Sequence, residues 1–494
     1  MKTVSLVPPA TSPLLTDLYQ ITMAAAYWQA HRADQHAVFH LLFRKHPFAG
    51  GFTIASGLAD CIQYLRQFHF RKSDLDFLAG LRGNDGKKLF PSAFLRYLGT
   101  LKMELNVDAV PEGTVVFPQE PLLRVSGPIL QAQLVETALL NFVNFQSLIA
   151  TKAARVCLAA GEDPVVEFGL RRAQGVDGGL TASRAAYIGG CAGTSNVLVS
   201  KMFGIPVKGT HAHSWVMSFA SELEAFETYA EALPNNCIFL VDTYDSLAGV
   251  RRAIEVGKRL RRRGYKLGGI RLDSGDLAYL SRKARALLDA AGFKDAAIVA
   301  SNDLNERLIT SLKQQGARID TWGVGTMLVT AYDQPALGGV YKLSAVRHPD
   351  GTWEPKIKLS EHVEKVSNPG VLQVRRFSRR KEFIGDAIYD ETRRVPRGMT
   401  IVHPADPTRR KQFAAGTRYE DLLKPVLRRG KLVSELPGLE AIRRRVREQL
   451  ARLHAGIKRL ENPHAYPAGL ELTLHEAKTK MILEAKRATM TTRS

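Results

Sequence analysis

The stretch IFLVDTYDSLAGVRRAIEVGKRLRRRGYKLGGIRLDSGD, residues 238–276, decides the fold. It begins with a short apolar run, continues as an amphipathic segment over residues 247–264, and closes with a second apolar run from residue 268. A strand, a helix and a strand in this order are typical of a parallel sheet. Both runs end in charged residues, namely Asp242 after the first and Arg271 with Asp273 in the second.

The same rhythm extends in both directions along the chain. Further short apolar runs begin near residues 165, 205, 297, 319 and 339, and nearly all of them end in polar or glycine residues. Polar groups at the carboxyl ends of many strands form the active site of a β/α barrel, whereas a doubly wound sheet gathers them near one switch point. Because a typical barrel needs about 250 residues and this segment is shorter, we expect an irregular or partly open β/α barrel.

The length of the chain predicts more than one domain. A chain of 494 residues is too long for one small core. We predict an N-terminal α/β domain at 1–130, a barrel domain at 131–345, and a C-terminal basic region at 346–494 that packs on the other two. The composition, 45% hydrophobic and 24% charged, is typical of a soluble globular protein.

The sequence does not indicate a membrane protein, a secreted protein or a site built from cysteines. No apolar run approaches the roughly 18 residues that a membrane span needs. Pro8 and Pro9 interrupt the apolar part of residues 1–15, which makes a poor signal peptide, so we expect a cytoplasmic protein. The four cysteines are far apart without a C-x-x-C spacing, which argues against a disulfide framework or a cysteine zinc site.

The net charge of +21 is concentrated in the last third of the chain. Residues 351–494 hold 31 Lys and Arg against 17 Asp and Glu. This pattern fits either nucleic-acid binding or a solvated basic surface on a protein with anionic substrates. No zinc finger or RNA-binding signature accompanies the charge, and Ile442, Val446 and Leu450 recur at helical spacing. We therefore favour a packed amphipathic helix and do not expect nucleic acid as a partner.

The motif GTHAHSW at 209–215 carries a histidine pair, His211 and His213. A zinc site of the H-x-H type needs further ligands from later strands, mostly histidines. The chain has no histidine between His213 and His348, and only Cys237 among cysteines there. The sequence therefore disfavours zinc and leaves a catalytic histidine with a neighbour, or two surface histidines.

Two glycine-rich motifs could hold phosphate. GGCAGTSN at 189–196 precedes a helical stretch, so its backbone N–H groups form either an anion site or a tight structural turn. WGVGT at 322–326 follows a late strand, the usual place of a phosphate site in barrels. There the N–H groups of Gly323 and Gly325 and the hydroxyl of Thr326 are candidate donors, and a plain glycine turn is the alternative.

Charged residues in IRLDSGD, residues 270–276, point to a polar substrate. Arg271 could bind a carboxylate or phosphate with two hydrogen bonds. Asp273 and Asp276 could bind ribose hydroxyls or Mg²⁺-bound water, and Asp242 in VDTYDS offers the same chemistry. The alternatives are a buried Arg–Asp pair at the strand end and, for Asp245 in VDTYDS, a helix cap.

The motif EFGLRRAQG at 167–175 combines an aromatic ring with arginines. Phe168 could stack on a flat ring and Arg171 could meet an anion, or these could be a core phenylalanine and a surface arginine. Together the motifs describe one ligand with a flat ring, an anionic group, a ribose and phosphates. This combination fits phosphoribosyl transfer to a ring nitrogen.

These motifs resemble the nicotinate phosphoribosyltransferase family. The resemblance extends over about residues 14–345, and several motifs together make it specific. The stretches that carry it are LLTDLYQITMAAAYW, FRKHPFAGGFTIASGL, EFGLRRAQGVDGGLTASRAAYIGGCAGTSNV, GTHAHSW, VDTYDS, IRLDSGDL, SNDLNE and WGVGTMLVTAYDQPALGGVYKL.

The resemblance implies a type II phosphoribosyltransferase fold. That fold is an irregular α/β barrel beside an N-terminal α/β domain, with a C-terminal segment packed alongside. It implies a homodimer with active sites at the interface. The implied reaction joins nicotinate and phosphoribosyl pyrophosphate into nicotinate mononucleotide and pyrophosphate, a step of NAD salvage. It is coupled to ATP hydrolysis, which places the enzyme in the ligase class, and it requires Mg²⁺.

The resemblance also implies roles for individual residues. His213, the histidine of A-H-S, matches a transient phosphohistidine. Tyr19 of DLYQ reaches the nicotinate ring from the partner subunit, and Phe168 stacks on the other face. Arg271 binds the nicotinate carboxylate, with Thr210 close by.

Further roles follow from the same resemblance. Gly323, Gly325 and Thr326 hold the 5-phosphate, and Arg171 and Ser214 contact substrate. Asp242 and the catalytic Asp273 lie near the ribose and Mg²⁺, although no residue is assigned as a direct metal ligand.

Two positions bear on specificity and on departures from the family. Nicotinamide-using relatives place an aspartate where this chain has Ser195, and a carboxylate there would repel an acid substrate. Ser195 therefore favours nicotinate. His211 has no family role, and we expect it at the surface or behind the residues that touch substrate.

Overall fold

The computed structural model describes residues 11–491, apart from the side chains of Val363 and of residues 489–491. The prediction about a leader peptide concerns residues 1–15 and so lies largely outside the described residues. Between residues 11 and 491, no helix is both long and apolar enough to cross a membrane.

The described residues form sixteen α-helices and twenty-one strands. The helices are α1 (Leu18–Gln29), α2 (Leu58–Gln67), α3 (Lys72–Gly80), α4 (Ser92–Thr100), α5 (Ile129–Leu134), α6 (Glu136–Ala160), α7 (Val176–Gly189), α8 (Val197–Phe203), α9 (His213–Met217), α10 (Glu222–Ala232), α11 (Ser246–Arg262), α12 (Leu277–Ala290), α13 (Glu306–Gln314), α14 (Thr326–Val329), α15 (Leu439–Ala451) and α16 (Leu472–Thr491). The strands are β1 (His36–Phe43), β2 (Thr53–Ile54), β3 (Asn106–Ala109), β4 (Val115–Val116), β5 (Leu123–Pro128), β6 (Val165–Glu167), β7 (Gly193–Thr194), β8 (Ile238–Leu240), β9 (Gly269–Leu272), β10 (Ala297–Ala300), β11 (Thr321–Val324), β12 (Gly339–Arg347), β13 (Trp353–Pro355), β14 (Leu372–Arg379), β15 (Glu382–Asp390), β16 (Met399–His403), β17 (Asp406–Phe413), β18 (Arg418–Asp421), β19 (Lys424–Arg428), β20 (Lys431–Leu432) and β21 (Ala468–Glu471).

The chain forms two compact units. The first unit comprises Met1–Leu148 and Ala336–Ser494, and the second comprises Ile149–Pro335. The N-terminal and C-terminal segments thus share the first unit, and the second unit holds most of the predicted barrel segment. The three-domain division at residues 130 and 345 stays a prediction.

The second unit is built on a parallel sheet in the order β7-β6-β11-β10-β9-β8. All of its strand pairs run parallel, which confirms the strands predicted near residues 165, 238, 268, 297 and 319. Helices α11, α12 and α13 follow β8, β9 and β10, as the amphipathic pattern indicates. The run near residue 205 forms only a single bridge, between Val207 and Thr194.

The strand predicted near residue 339 was wrongly assigned to the parallel series. It is β12, which belongs to the first unit and pairs antiparallel with β1, with Tyr341 opposite Leu41. An apolar run specifies a strand but not its partner, and the buried strand β1 lies outside the segment where the rhythm was recognised.

The first unit contains two further large sheets. Their strand orders are β13-β12-β1-β5-β3-β19-β20 and β17-β16-β21-β15-β14-β18. The second of these packs a core in which the rings of Phe377 and Phe413 stack 4.1 Å apart. The basic run at 441–454 forms α15 with Ile442 and Val446 buried, which confirms the packed amphipathic helix.

Candidate active site

The carboxyl ends of the parallel strands open into a cleft of about 530 Å³ in the second unit. This volume is in the range of small-molecule sites, about 300–1,000 Å³. We call it the Phe168 cleft. The predicted site residues that line it are Phe168, Arg171, Thr210, His213, Arg271 and Asp273.

Arg271 on β9 is held by three hydrogen bonds. Its Nε donates to Ser301 Oγ at 2.9 Å, Nη1 to Thr210 Oγ1 at 3.2 Å, and Nη2 to Asp273 Oδ1 at 3.2 Å. The Arg271 Cζ lies 5.7 Å from the centroid of the Phe168 ring. An Arg–Asp pair is therefore present, but it lines an open cleft and fixes a guanidinium beside an aromatic ring.

One carboxylate oxygen of Asp242 accepts no hydrogen bond from the described residues. Its Oδ2 accepts hydrogen bonds from the Asp273 N–H at 2.8 Å and from Ser274 Oγ at 2.7 Å. Its Oδ1 is buried and has no hydrogen-bond partner among the described residues. Because an unsatisfied buried oxygen is costly, this one indicates a site for a positive group.

His213, the first residue of α9, has a fixed ring that still reaches solvent. Its side chain is 39% exposed, and Nδ1 lies 3.1 Å from Thr243 Oγ1. Its Nε2 lies 4.0 Å from Asp242 Oδ1 and 3.8 Å from Asp273 Oδ2. The ring is thus oriented by neighbours at both nitrogens and stays accessible from the cleft.

His211 points away from this group, into an aromatic cluster. Its ring centroid lies 5.1 Å from that of Tyr229, 6.0 Å from Phe226 and 6.3 Å from Phe239. Its Nε2 accepts a hydrogen bond from the Leu240 N–H at 3.2 Å. Burial lowers the pKa of His211 to about 4, so the ring is neutral near pH 7. Of the two positions expected for His211, the surface one was wrong, since the residue is 8% exposed, and its contacts agree with a position behind the residues expected to touch substrate.

The His211 ring also bridges the opening of the parallel sheet. The sheet ends in β8 on one side, and Val207 adds a single bridge to β7 on the other. Through its bond to Leu240 N, His211 joins the segment after Val207 to β8 with a side chain instead of a backbone ladder. Thr210 and His213, its near neighbours in the chain, are held at the cleft by this anchor.

Glu167, at the end of β6, was missed as a site residue. It is fully buried, and its carboxylate accepts hydrogen bonds from Ser183 Oγ at 2.8 Å and Thr194 Oγ1 at 2.5 Å. Its carbonyl accepts the Ser195 N–H at 2.9 Å, and its carboxylate also accepts the Gly169 N–H. Glu167 therefore holds Ser195 and the backbone directly after Phe168, and a carboxylate within an apolar strand was the available signal.

The glycines of WGVGT have a steric reason as well. A Cβ on Gly323 would lie 2.6 Å from Cδ2 of Phe168, so only glycine leaves room for this ring. Gly325 is the N-cap of α14, and Thr326 is its first residue. The 5-phosphate role of these three residues stays a prediction.

Several other motif residues serve as helix caps or allow close packing. Asp245 accepts the Ala248 N–H at 2.7 Å and caps α11, as the capping alternative stated. Asp276 accepts the Tyr279 N–H at 2.9 Å and caps α12. In GGCAGTSN, Gly193 lies in β7, and a Cβ on it would lie 2.5 Å from the Pro206 carbonyl oxygen, so this glycine allows close packing of two segments, and the anion-site alternative stays a prediction.

Three predicted contacts lie on exposed positions. Arg171 occupies the 3₁₀ turn Leu170–Arg172, and Ser214 is exposed on α9. Tyr19 belongs to the first unit, where it is 49% exposed on α1 and its hydroxyl accepts a hydrogen bond from Gln20 Nε2 at 3.0 Å. Their contacts with substrate stay predictions.

The side chains disfavour zinc and fit magnesium. Within the described part of the chain, no group of three or more His, Cys, Asp or Glu residues is arranged to hold a metal ion. The two histidines of GTHAHSW diverge, because His211 is committed to Leu240 N. Magnesium is usually held by one or two carboxylates plus substrate phosphates and water. The free Oδ1 of Asp242 and the carboxylate of Asp273 suit that requirement.

Comparison with known proteins finds similarity along most of the chain. Family models match at residues 14–144 (nicotinate phosphoribosyltransferase N-terminal domain), 164–364 (nicotinate phosphoribosyltransferase family) and 373–478 (C-terminal domain). A nicotinate phosphoribosyltransferase of Bacillus subtilis strain 168 is 44% identical over 478 residues, covering 96% of each chain. This chain belongs to the nicotinate phosphoribosyltransferase family. The human nicotinate phosphoribosyltransferase is 37% identical over 515 residues, covering 92% of this chain and 94% of the human one.

Solved structures agree with the fold. The crystal structure of human nicotinic acid phosphoribosyltransferase matches with a TM-score of 0.82 at 35% identity, over 94% of this chain and 99% of that one. Nicotinate-nucleotide pyrophosphorylase from Pyrococcus furiosus matches with a TM-score of 0.70 at 22% identity, over 92% and 99%, which shows the fold alone. The predicted fold class is confirmed: a type II phosphoribosyltransferase with an irregular β/α sheet unit, N-terminal α/β elements and a C-terminal basic segment.

Proposed function

We propose that this protein transfers the 5-phosphoribosyl group from phosphoribosyl pyrophosphate to nicotinate, giving nicotinate mononucleotide and pyrophosphate in NAD salvage. The observation that carries this is the Arg271 guanidinium, held by three partners beside the Phe168 ring in an open cleft. A flat ring with a carboxylate needs an aromatic surface and a fixed guanidinium, and both are present.

The uncharged side chain of Ser195 in the cleft wall favours an acid as the substrate. Ser195 lines the same cleft as Arg271. With no carboxylate at this position, a negatively charged ring substrate meets Arg271 without repulsion from Ser195. Nicotinamide, which is uncharged, would gain less from the guanidinium.

The reaction is a displacement at C1 of the ribose. The nicotinate nitrogen forms a bond to C1 while the C1–O bond breaks, and pyrophosphate leaves with the electron pair. The transition state has oxocarbenium character, as in other glycosyl transfers. We assign Asp273 to the ribose side of the cleft, where its negative charge favours the positive charge that develops at C1.

Magnesium belongs to this proposal as a required ion. Asp242 through its free Oδ1, and Asp273, would hold it. When bound, it neutralises negative charge on the departing pyrophosphate. The hydrogen bonds from the Asp273 N–H and Ser274 Oγ keep the Asp242 carboxylate oriented for this task.

We further propose that ATP hydrolysis is coupled to the transfer through His213, which makes the enzyme one of the ligase class. A ring nitrogen of His213 takes the γ-phosphoryl group as ADP leaves, and water later releases phosphate from the ring. The support is the accessible ring, oriented by Thr243 and facing the Asp242 and Asp273 carboxylates. The phosphorylated ring would add negative charge beside these carboxylates and so make the geometry of the cleft depend on ATP.

We also propose a cytoplasmic homodimer in which Tyr19 of one protomer completes the cleft of its partner. The support is the exposure of Tyr19 on α1. Mixing inactive Tyr19→Ala and Arg271→Ala proteins then restores about a quarter of wild-type activity, because half of the randomly paired dimers contain one intact site. Mixtures that stay inactive after subunit exchange would contradict shared sites.

The direct test is a product assay with phosphoribosyl pyrophosphate and Mg²⁺. Nicotinate should yield its mononucleotide, with a higher rate when ATP is added, and nicotinamide should react far more slowly. Comparable rates with nicotinamide would contradict the proposed substrate.

The coupling is tested by His213→Ala. We expect loss of ATP stimulation and of covalent phosphate on the protein, with some basal transfer retained. His348→Ala, which changes a half-exposed histidine in the first unit, is the matched control and should leave both unchanged. ATP stimulation that survives in His213→Ala would overturn the assignment.

A further inference from the structure

The first unit contains a second cavity, of about 510 Å³, that the proposed reaction does not use. We call it the Lys478 cavity. It lies between the turn after β1, the turn joining β16 and β17, the segment before β21, and α16. Residues that define it are His46, His403, Pro463, His464, Tyr466 and Lys478.

Lys478 on α16 is a buried cation without a carboxylate partner among the described residues. It is 8% exposed, and its Nζ donates to Asn368 Oδ1 at 2.7 Å and to the Val366 carbonyl at 3.3 Å. Both acceptors are neutral. Burial lowers the pKa of Lys478 to about 8. A buried ammonium group is expensive unless an opposite charge compensates it, so an anion in the cavity would relieve this cost.

Asn368 adds an unpaired donor next to this lysine. Its Oδ1 accepts from Lys478, and its Nδ2 is buried with no hydrogen-bond partner in the part of the chain that the structure describes. Buried amide groups are normally hydrogen-bonded. The Lys478–Asn368 pair therefore has an unused donor and a positive charge without a counter-charge among the described residues, and Lys478 brings that charge to the cavity wall.

The charges of the cavity wall also favour an anionic ligand. Arg44 and Lys45 line it together with Lys478, while Glu364 is the carboxylate residue among the lining residues. Glu364 already pairs with Lys45, at 3.1 Å between Oε2 and Nζ. The cavity thus keeps a net positive wall.

The remainder of the wall suits the organic part of a ligand. Small apolar residues form much of it, including Pro118, Pro404, Pro463 and Ala465. The volume is in the range of sites for small molecules and is far larger than a water site. An anionic group alone would leave most of this space unfilled.

We propose that the Lys478 cavity binds a phosphate-bearing small molecule of nucleotide size, with its phosphate against Lys478. A lysine ammonium binds phosphate as a compact point charge. The apolar wall holds the rest of the molecule. The site shares no lining residue with the Phe168 cleft, so binding at the two is separable.

Calorimetric titration of the full chain tests the proposal with adenosine 5′-monophosphate, inorganic phosphate and adenosine as probes. The protein carries Arg271→Ala and His213→Ala, so that binding in the Phe168 cleft is impaired. We expect the monophosphate to bind at least about ten-fold more tightly than adenosine, the effect of one charge-assisted hydrogen bond. Inorganic phosphate should bind detectably. Failure of both anions to bind would overturn the proposal.

The matched variants are Lys478→Met and Lys480→Met. Lys480 lies on the same helix, has a side chain that is 77% exposed, and does not line the cavity. Lys478→Met should weaken monophosphate binding about ten-fold or more, and Lys480→Met should not change it. Equal affinity in the two variants would contradict the site.

A second measurement needs no substitution at Lys478. Acetic anhydride modifies uncharged amines, so Lys478 should be acetylated near pH 8, close to its pKa. Adenosine 5′-monophosphate should slow this labelling several-fold, since a bound phosphate favours the charged lysine and blocks access. Labelling of Lys480 on the same protein should be unaffected. Lys478 labelling that does not respond to saturating monophosphate would also overturn the proposal.

Discussion

Two clusters of charged residues, one in each unit, use similar side chains in opposite ways. In the first unit, Arg376 and Asp386 are fully buried on β14 and β15 and pair at 2.6 Å between Nη2 and Oδ2. Gln449 accepts from Arg376 Nη1 at 2.9 Å, and Tyr466 donates to Asp386 Oδ1 at 2.7 Å. In the second unit, Arg271 is likewise paired with an aspartate, but at the wall of an open cleft.

The difference lies in how accessible the polar groups are. In the Arg376 cluster, Arg376 and Asp386 satisfy each other's charge. The neighbouring Glu120 is buried, its Oε1 accepts no hydrogen bond from the described residues, and burial raises its pKa well above the usual range. Burial would lower the pKa of Arg376, yet Asp386, Tyr466 and Glu120 together outweigh this effect and leave that pKa raised. Beside the Phe168 cleft, the buried Asp242 Oδ1 accepts no hydrogen bond from the described residues, while Asp273 and the 39%-exposed His213 ring line the cleft itself. Charges paired in a dry interior serve the structure, whereas polar groups that line an open cleft are available for a ligand.

The largest expected effect is on stability, from Arg376→Met. Asp386 would be left buried without its counter-charge, which costs about 3–5 kcal/mol. Arg271→Met, which leaves Asp273 partly exposed, should cost far less. Urea unfolding of the two variants measures the contrast. Equal losses in the free energy of unfolding would show that both arginines stabilise the fold to the same extent.

The next effect is on substrate, from Arg271→Ala. Loss of a charge-assisted pair with the nicotinate carboxylate should lower kcat/KM by about ten- to hundred-fold, or roughly 1.5–3 kcal/mol. Steady-state kinetics with nicotinate measure this. Arg376→Lys, which keeps a positive charge in the other cluster, is the control and should leave KM unchanged. An unaltered affinity for nicotinate in Arg271→Ala would contradict the assignment of Arg271 to the nicotinate carboxylate.

The contrast also explains what the sequence could predict. Strand-end motifs identified Arg271, Asp273, Asp242 and His213, because parallel strands bring their carboxyl ends to one edge whatever the loops do. The sheet partner of β12 could not be predicted, since an apolar run does not name its neighbour.

Side-chain contacts across the sheet were equally out of reach. Ser301 and Thr243 hold Arg271 and His213 from strand ends, and neither was predicted as a site residue although they lie in SNDLNE and VDTYDS. The link between the GTHAHSW segment and β8 depends on the hydrogen bond that the His211 ring accepts from the Leu240 N–H. This bond joins residues that are 29 positions apart. Spacing in the sequence carries no information about such a contact until the strand order is known.

A smaller effect should come from Ser195→Asp. A carboxylate in the wall that Ser195 shares with Arg271 repels the acid substrate, so KM for nicotinate should rise about ten-fold, or about 1.4 kcal/mol. Ser195→Asn has a similar size without the charge and is the control. Matching increases in both variants would indicate a steric effect instead.

The smallest effect concerns His211, a buried and hydrogen-bonded titratable group of the cleft wall. Its pKa is about 4 in the folded protein and 6.5 in a model peptide, so at intermediate pH the unfolded chain binds the extra proton. Its contribution to stability is therefore complete above about pH 6.5 and is lost as the pH falls towards 4.

His211→Gln keeps an acceptor within reach of the Leu240 N–H and removes the titration. We expect the free energy of unfolding of the wild type to fall by about 1 kcal/mol more than that of His211→Gln between about pH 7.5 and about pH 5.8. Urea titrations at the two pH values measure this difference. His40 and His46, whose pKa values burial lowers to about 3, act in the same direction in both proteins and cancel. Identical pH dependence would mean that the contact between His211 and the Leu240 N–H does not hold a neutral ring.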